Sequence, residues 1–365
     1  MRILLIGEYS NVHATLATGL RTLGHEVCVI SDGDTWKNYQ RDIDVTRTPG
    51  KLGGIRLMTR LWTLLPKMRG YDVVQLINPM FFELKAERLF FFYRYLRKHN
   101  KHVFLGAFGI DYYWVHTCTF DKPLRYSDFN IGEQVRCDAD AVKEQHDWLG
   151  TTKEQLNKLI AYDCDGIITG LYEYQVCYQP VFPEKTRFIP FPITHHPSSI
   201  TRHLSPITLF IGISKNRSTY KGTDIMLKAA EDIVRKYPER VVLQKAEGVP
   251  FNTYQQMMDN CDVLLDQLYS YTPAMNALLA MSKGIVVVGG GEPENYDILG
   301  EKKLRPIINV EPTYDSVYHE LEQLVLYPER LTELKQQSIE YVQKHHDYKN
   351  VAQQYIGFYQ QFMTV

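Results

Sequence analysis

Three cations, Lys215, Arg217 and Lys221, fall on one loop that follows an apolar run ending at Ile211, and Gly222 stands before the next helical pattern. Clustered cations beside a helix N-terminus suit a diphosphate, because point charge and oriented amide dipoles add. A solvated basic loop is the ordinary alternative. Further on, Ser270-Tyr-Thr-Pro-Ala-Met-Asn276 leads into an apolar helical stretch that stops at Gly284. Thr272 reads as its N-cap and Pro273 as its first helical residue. The free amides of Ala274, Met275 and Asn276 then become anion donors. An ordinary capped core helix explains Leu278, Leu279 and Met281 equally well; Asn276 fits that alternative least. Third comes Gly289-Gly-Gly-Glu-Pro-Glu294, whose glycines let backbone approach a ligand closely. Gly290 belongs to this turn, and Glu292 and Glu294 can accept hydrogen bonds from sugar hydroxyls. A plain exposed loop would look the same.

The first half carries weaker signals. Gly7-Glu-Tyr-Ser-Asn-Val-His13 lies where a strand gives way to a helix and lacks the GxGxxG of a dinucleotide site. Ser10 or Asn11 is placed to cap that helix. His13 is placed to touch an acceptor hydroxyl or phosphate, or simply to stand exposed. Asp111 sits at a strand mouth, where an acceptor would lie and where a turn-forming aspartate is also ordinary. Val45 to Tyr71 contains no acidic residue but holds Arg47, Lys51, Arg56, Arg60, Lys67 and Arg69. Ile55, Met58, Leu61, Trp62 and Leu65 fall at helical spacing within it, so 45–71 reads as a basic amphipathic helix. Such a helix lies on an anionic membrane or packs on a core with a solvated basic face. Glu87–His102, with Phe90, Phe91, Phe92 and Tyr95, reads as a buried helix with a basic end.

These residues need a scaffold, and the patterning supplies one. Strands are expected at Arg2–Ile6, Glu26–Ile30, Asp72–Ile77, His102–Leu105, Gly166–Thr169 and Arg187–Ile189, with helical patterns between them. Around Phe191–Pro206 the chain becomes turn-rich. A second alternation follows, with strands at Ile207–Ile211, Val241–Leu243, Val263–Leu265, Ile285–Val288 and Ile307–Asn309. Helices read as Asp224–Lys236, Tyr254–Asn260 and Ala274–Lys283. The tail is helical from Asp315 to Phe362, with a break at His345–Asp347. Strands alternating with helices give parallel doubly wound sheets. The expected fold is therefore α/β, with two Rossmann-like domains facing a cleft: 1–200, 206–345, and a C-terminal helix at 346–365 returning to the first domain. At 365 residues the chain has room for both.

Bulk properties exclude more than they assign. The 41 basic and 42 acidic residues nearly balance, so nucleic acid is not an expected partner. Six cysteines without CxxC spacing point to a reducing compartment rather than a disulfide or zinc framework. The opening Met-Arg-Ile-Leu-Leu-Ile-Gly7 reads as a buried strand, and no apolar run reaches membrane-spanning length. A cytoplasmic location is expected, with the inner membrane face as a peripheral site through 45–71.

Taken together, the motifs resemble the retaining nucleotide-sugar glycosyltransferases of the two-Rossmann (GT-B) type, especially glycosyltransferase family 4. Lys215/Arg217 and Lys221-Gly222 resemble that family's basic residue and Lys-Gly after the first strand of the second domain. Asp262-Val-Leu-Leu-Asp-Gln-Leu-Tyr-Ser270 is similar to its strand end, and Ala280 to Val287 to its helix–glycine–strand step. Gly290-Gly-Glu-Pro-Glu294 is similar to its Gly-Gly-x-x-Glu turn. In the first domain the Gly7 loop and the Cys164–Thr169 strand fit more loosely. The family often carries two glutamates eight residues apart beside the helix start. Tyr271 and Leu279 occupy those places here. Glu292, Glu294 or Asn276 then takes over, or the donor is held differently, or activity is lost.

The resemblance implies transfer of a sugar from a nucleotide diphosphate sugar to a hydroxyl acceptor, glycan or lipid-linked, with retention and without a metal or other cofactor. It makes Lys221, Arg217 and Asp111 the catalytic residues. Donor contacts fall at Gly7, Lys215, Lys221, Thr272, Asn276, Gly290, Glu292 and Glu294, and acceptor-side contacts at His13 and Asp111. A nucleotide-sugar epimerase on the same plan and a catalytically silent sugar-nucleotide binder are the competing readings.

Overall fold

The computed structural model of the chain describes residues 1–194, 206–214 and 217–363. Its first half runs β1 (Arg2–Ile6), α1 (Val12–Thr22), β2 (Glu26–Ser31), β3 (Ile43–Asp44), α2 (Gly53–Leu64), β4 (Val73–Leu76), α3 (Ala86–His99), β5 (His102–Ala107) and α4 (Tyr112–Phe120). There follow β6 (Asn130–Ile131), β7 (Gln134–Val135), α5 (Ala139–Trp148), α6 (Thr152–Asp163), β8 (Gly166–Thr169), α7 (Tyr172–Tyr178) and β9 (Thr186–Phe188). The second half runs β10 (Ile207–Ile213), α8 (Ser218–Lys221), α9 (Thr223–Lys236), β11 (Val241–Glu247), α10 (Phe251–Asp259), β12 (Val263–Leu265) and α11 (Met275–Ser282). It ends with β13 (Val286–Gly289), α12 (Pro293–Ile298), β14 (Ile307–Asn309), α13 (Tyr314–Leu326), α14 (Arg330–His345) and α15 (Tyr348–Gln360).

These elements sort into two compact units. The first comprises Met1–Phe120, Glu144–Pro192 and Tyr348–Val365; the second comprises Asp121–Lys143 and Ile193–Asp347. The first is built on a parallel sheet in the order β3-β2-β1-β4-β5-β8-β9. The second has the parallel order β11-β10-β12-β13-β14. Both are doubly wound. Winding reverses between β1 and β4 in the first sheet and between β10 and β12 in the second, and ligands of such sheets bind at the carboxyl ends beside this reversal.

Burial explains why the strands read as continuous apolar runs. In the second unit Leu209, Ile211, Val263, Leu265, Val286 and Val288 form one sheet face and pack on Met226, Ala229, Ala230 and Ile233 of α9. That helical spacing is the i, i+3, i+4, i+7 stripe of an amphipathic helix. Phe210 points the other way and meets the Tyr254 ring of α10 edge-on at 5.1 Å. Truncating a fully buried residue such as Ile233 to alanine would cost about 2–5 kcal/mol.

The C-terminal helix α15 belongs to the first unit and lies against α1. A Cβ on Gly19 would stand 2.4 Å from the Tyr348 carbonyl oxygen and 2.8 Å from Cβ of Ala352, so this helix contact requires glycine. Three details differ from the sequence reading. Residues 121–143 cluster with the second unit, because Leu124, Tyr126, Phe129 and Asn130 bury there around the β6–β7 hairpin. The helical tail has an additional break at Tyr327–Glu329, where Pro328 interrupts it. Most of the turn-rich stretch expected over Phe191–Pro206 lies outside the described residues.

Candidate functional site

The second unit gathers polar side chains at the carboxyl ends of β10, β12 and β13. Asp266 directly follows β12 and accepts a hydrogen bond from Asn276 Nδ2 at 2.9 Å. Asn276 Oδ1 in turn accepts from the Tyr254 hydroxyl at 3.0 Å. Crowding by neighbouring atoms raises the Asp266 pKa, opposed by the Asn276 hydrogen bond and the charge of Lys221. Lys221 ends α8, and its carbonyl accepts from Leu268 N at 3.0 Å, which ties the basic loop to the segment after β12. Gly222 has φ 70°, and a Cβ there would reach 2.5 Å from Leu268, so the Lys-Gly pair is set by this close passage. The Arg217 guanidinium lies 4.7 Å from the centre of the Tyr220 ring. Lys215 is outside the described residues.

Thr272 does not cap the following helix. It is buried, and α11 opens at Met275 with Ala274 as the capping position. The reason lies in the neighbouring glycine turn. A Cβ on Gly290 would stand 2.2 Å from the Ser270 carbonyl oxygen, and Glu292 N donates to the Tyr271 carbonyl at 3.1 Å. Residues 270–272 are thus held against the turn, and the helix begins only after them. Gly290 therefore packs backbone on backbone against Ser270. The first amides of α11 are consequently those of Met275, Asn276 and Ala277.

Glu292 and Glu294 are neither loose nor solvent-filled. Arg125 Nη2 donates to Glu292 Oε2 at 2.6 Å, and Nη1 donates to Glu294 Oε1 at 2.6 Å. The Tyr126 hydroxyl donates to the other Glu292 oxygen. Arg125 also lies 4.9 Å from the centre of the Tyr271 ring, and its backbone N donates to the Tyr271 hydroxyl at 2.6 Å. Tyr271, standing where a glutamate was expected, is therefore a buried platform for residue 125. Burial tends to raise the Glu294 pKa, but the Arg125 hydrogen bond and charge hold it below the usual carboxylate range. Arg136 makes a second anchor: it donates to the Thr219 carbonyl at 3.0 Å and stacks 3.9 Å from the centre of Tyr269.

In the first unit, the switch-point residues turn inward. A Cβ on Gly7 would reach 2.3 Å from Ile77, so Gly7 packs between strands with φ 84°. Glu8 is buried and accepts from the amides of His13 and Ala14 at 3.3 and 2.8 Å. It thereby does the capping expected of Ser10 or Asn11, whose side chains make no such bond. Burial pushes the Glu8 pKa up to about 8 despite those amides.

His13 is buried too, and both ring nitrogens are engaged. Nδ1 is 2.8 Å from the Gly7 carbonyl oxygen, and Nε2 is 3.0 Å from the Gln75 amide nitrogen. Burial lowers its pKa to about 3, so the ring is neutral, with Nδ1 donating and Nε2 accepting. Gln75 passes the chain on to the Tyr359 hydroxyl of α15. Asp111 is fully buried: Oδ1 caps α4 by accepting from Trp114 N at 2.9 Å, and Oδ2 accepts from the Tyr178 hydroxyl at 2.7 Å. His13 and Asp111 are thus interior structural groups and do not present themselves to an acceptor.

The acid-free stretch 45–71 forms α2 and a short 3-10 turn at Leu65–Met68. Leu57, Leu61 and Met68 face the core, while Ile55 and Trp62 are 64% and 47% exposed. The inward face is thus displaced from the expected stripe, leaving apolar side chains outside among Arg56 and Arg60. Trp62 stacks on the exposed Phe91 of α3 at 4.6 Å.

No protein-family model matches this sequence, and no curated protein sequence does. Solved structures match its fold over nearly the whole chain. Sucrose-phosphate synthase from Thermosynechococcus elongatus is 15% identical with a TM-score of 0.64, the match covering 100% of this chain and 99% of that one. The Anabaena protein HepE, solved with UDP and glucose, is 12% identical with a TM-score of 0.60, covering 99% and 100%. UDP-GlcNAc 2-epimerase from Neisseria meningitidis, bound to UDP-GlcNAc, is 11% identical with a TM-score of 0.55, covering 99% and 100%. The chain therefore has the GT-B type of fold, two Rossmann-like units in one polypeptide.

Proposed function

We propose that this chain is a glycosyltransferase that moves a sugar from a nucleotide diphosphate sugar to a hydroxyl acceptor with retention, in synthesis of a surface polysaccharide or other glycan. The observation that carries the reading is the cluster beside the switch point of the second sheet, where Lys221, the Asp266–Asn276 pair and the opening of α11 come together. Solved relatives in fold that hold UDP, UDP with glucose, or UDP-GlcNAc support it.

In this mechanism Lys221, Arg217, Lys215 of the same loop and the first amides of α11 stabilise the diphosphate as the bond from the sugar's anomeric carbon to phosphate oxygen breaks. The acceptor oxygen bonds to that carbon on the same face, and its proton passes to the departing phosphate oxygen. No side-chain base is then needed, which agrees with the buried positions of Asp111 and His13. Glu294, a quarter exposed beside Arg125, keeps lone pairs for a sugar hydroxyl, whereas both Glu292 oxygens are already engaged.

The test is thermal unfolding with UDP, GDP and ADP, followed by assay of donor turnover. A ligand that binds only the native state raises stability by RT ln(1 + [L]/Kd). One of the three should raise Tm, and the matching sugar donor should be consumed in the presence of acceptor. No shift with any of them would refute the reading. The epimerase neighbour supports a second reading, in which the sugar is inverted on the nucleotide. Donor recovered as an epimer without free nucleotide would favour it.

We extend the proposal to the inner membrane face in the cytoplasm, where the α2 surface meets anionic lipid. The exposed Trp62–Phe91 stack, Ile55, Arg56 and Arg60 combine the apolar and cationic groups that an interfacial surface needs. Among the described residues no helix is long and apolar enough to cross a membrane.

A further inference from the structure

Residues 124–136 are contributed by a chain excursion between α4 and α5, yet they touch the segments that follow β10, β12 and β13 of the second sheet. Arg136 holds the segment after β10 through the Thr219 carbonyl and covers Tyr269 after β12. Tyr126 lies 4.8 Å from Tyr271, ring to ring, and donates to Glu292 after β13. Phe129 and Asn130 between them are fully buried, so the excursion is a built wall and not a loose flap.

The charge at this wall needs explaining. Lys221 lies near enough to Asp266 to oppose its charge, while Glu292 and Glu294 bring two further carboxylates to a place assigned to an anion. Arg125 changes the balance. Its guanidinium reaches both glutamates, with Nη2 shared between Glu292 at 2.6 Å and Glu294 at 3.2 Å. The Arg125 side chain itself remains 57% exposed, so its outer edge stays open to solvent or ligand. Offsetting one of the two glutamate charges lowers the like-charge repulsion that would otherwise reach a diphosphate through a partly desolvated region.

We propose that residues 124–136 form a wall of the nucleotide-diphosphate site and that Arg125 is its positioning residue, fixing Glu292 and Glu294 and offsetting one of their two charges so that an anionic donor is admitted. This rests on the functional reading above and adds a residue class that reading did not contain: a cation that acts through two carboxylates.

The experiment is calorimetric titration of the full-length protein with UDP, GDP and ADP. Arg125→Met should weaken the best-binding nucleotide at least tenfold. Adding Glu294→Gln to that variant should restore affinity to within about threefold, because one offending charge is gone; a purely structural loss would not be rescued by removing a carboxylate. Glu294→Gln alone leaves Arg125 and Glu292 in balance, one negative charge fewer than in the native protein, and should tighten binding by about threefold or more, whether or not Arg125→Met folds. The probes carry no sugar, so sugar contacts of Glu294 do not enter. Unchanged affinity in folded Arg125→Met, a double variant as weak as the single one, or unaltered or weaker binding by Glu294→Gln would overturn the proposal while leaving the functional reading in place. Failure of all three nucleotides to bind the native protein would overturn both.

Discussion

Asp111→Asn separates a structural aspartate from a catalytic one. Asp111 is fully buried, and burial raises its pKa from the ordinary 3.8 to about 7, against the Trp114 amide and the Tyr178 hydroxyl that favour the charged form. A carboxyl whose folded pKa lies above its unfolded value favours the native state most below the unfolded pKa. That contribution is lost as pH rises through the folded pKa. The full difference between 3.8 and about 7 corresponds to on the order of 4 kcal/mol at most, of which about 2–3 kcal/mol falls between pH 5 and pH 8. Asparagine caps a helix as well as aspartate and carries no charge to desolvate. Its amide can donate to the Tyr178 oxygen, though that hydroxyl already accepts from Asn157 at 3.2 Å, so about 1 kcal/mol of hydrogen bonding is at risk. Urea unfolding of both proteins at pH 5 and pH 8 is the assay. The stability of Asp111→Asn minus that of the native protein should rise by about 2–3 kcal/mol across that interval. Comparing variants at each pH cancels the titration of Glu8 and all other shared groups. A difference that does not change with pH would refute the reasoning. A folded Asp111→Asn with native stability at both pH values and no turnover would return Asp111 to the catalytic site.

Other substitutions test separate parts of the second unit and of α2. Lys221→Ala should weaken binding of the nucleoside diphosphate by about 10- to 100-fold, as for loss of a charge-assisted phosphate contact worth ~1.5–3 kcal/mol, read by titration calorimetry. Gly290→Ala should destabilise the protein by about 1–3 kcal/mol in urea unfolding, because the new Cβ meets the Ser270 carbonyl oxygen at 2.2 Å. Co-sedimentation with anionic vesicles should fall when Arg56 and Arg60 are both changed to glutamate, and should weaken as salt rises, since each cation near such a surface contributes about 1 kcal/mol. Equal recovery with neutral and anionic vesicles would instead make α2 an ordinary surface helix.

The scaffold was legible because parallel strands buried on both faces leave long apolar runs, and the helices between them leave the 3.6-residue period. Val263–Leu265 and Ile307–Asn309 fall where the patterning puts them. The capping details were less legible. Pattern alone makes Thr272-Pro273 a helix start, yet the backbone contact with Gly290 overrides that preference. Likewise Ser10 and Asn11 have the right chemistry to cap α1, but both take left-handed backbone angles and the buried Glu8 carboxylate reaches the amides first. In each case a contact from elsewhere in the fold decides against the local propensity. The His13 misreading has the same origin. A polar residue near a helix start looks exposed in sequence, whereas Gln75 and, through it, Tyr359, 62 and 346 residues away by number, supply the partners that let it be buried.

Arg125 marks the limit of what local reading can find. Its neighbours Asp121-Lys-Pro-Leu-Arg-Tyr-Ser127 resemble an ordinary polar connection, and nothing at that position announces two carboxylates 167 and 169 residues away. The signal that existed was indirect. Two closely spaced glutamates on a glycine turn, beside loops read as an anion site, form an electrostatic conflict unless a cation meets them. Lys221 already offsets Asp266. The conflict therefore required a further arginine or lysine from outside the second alternation, even though its position could not be named. Charge balance within a candidate site thus carries information that motif matching discards: it shows that a partner must exist before the fold shows which residue it is.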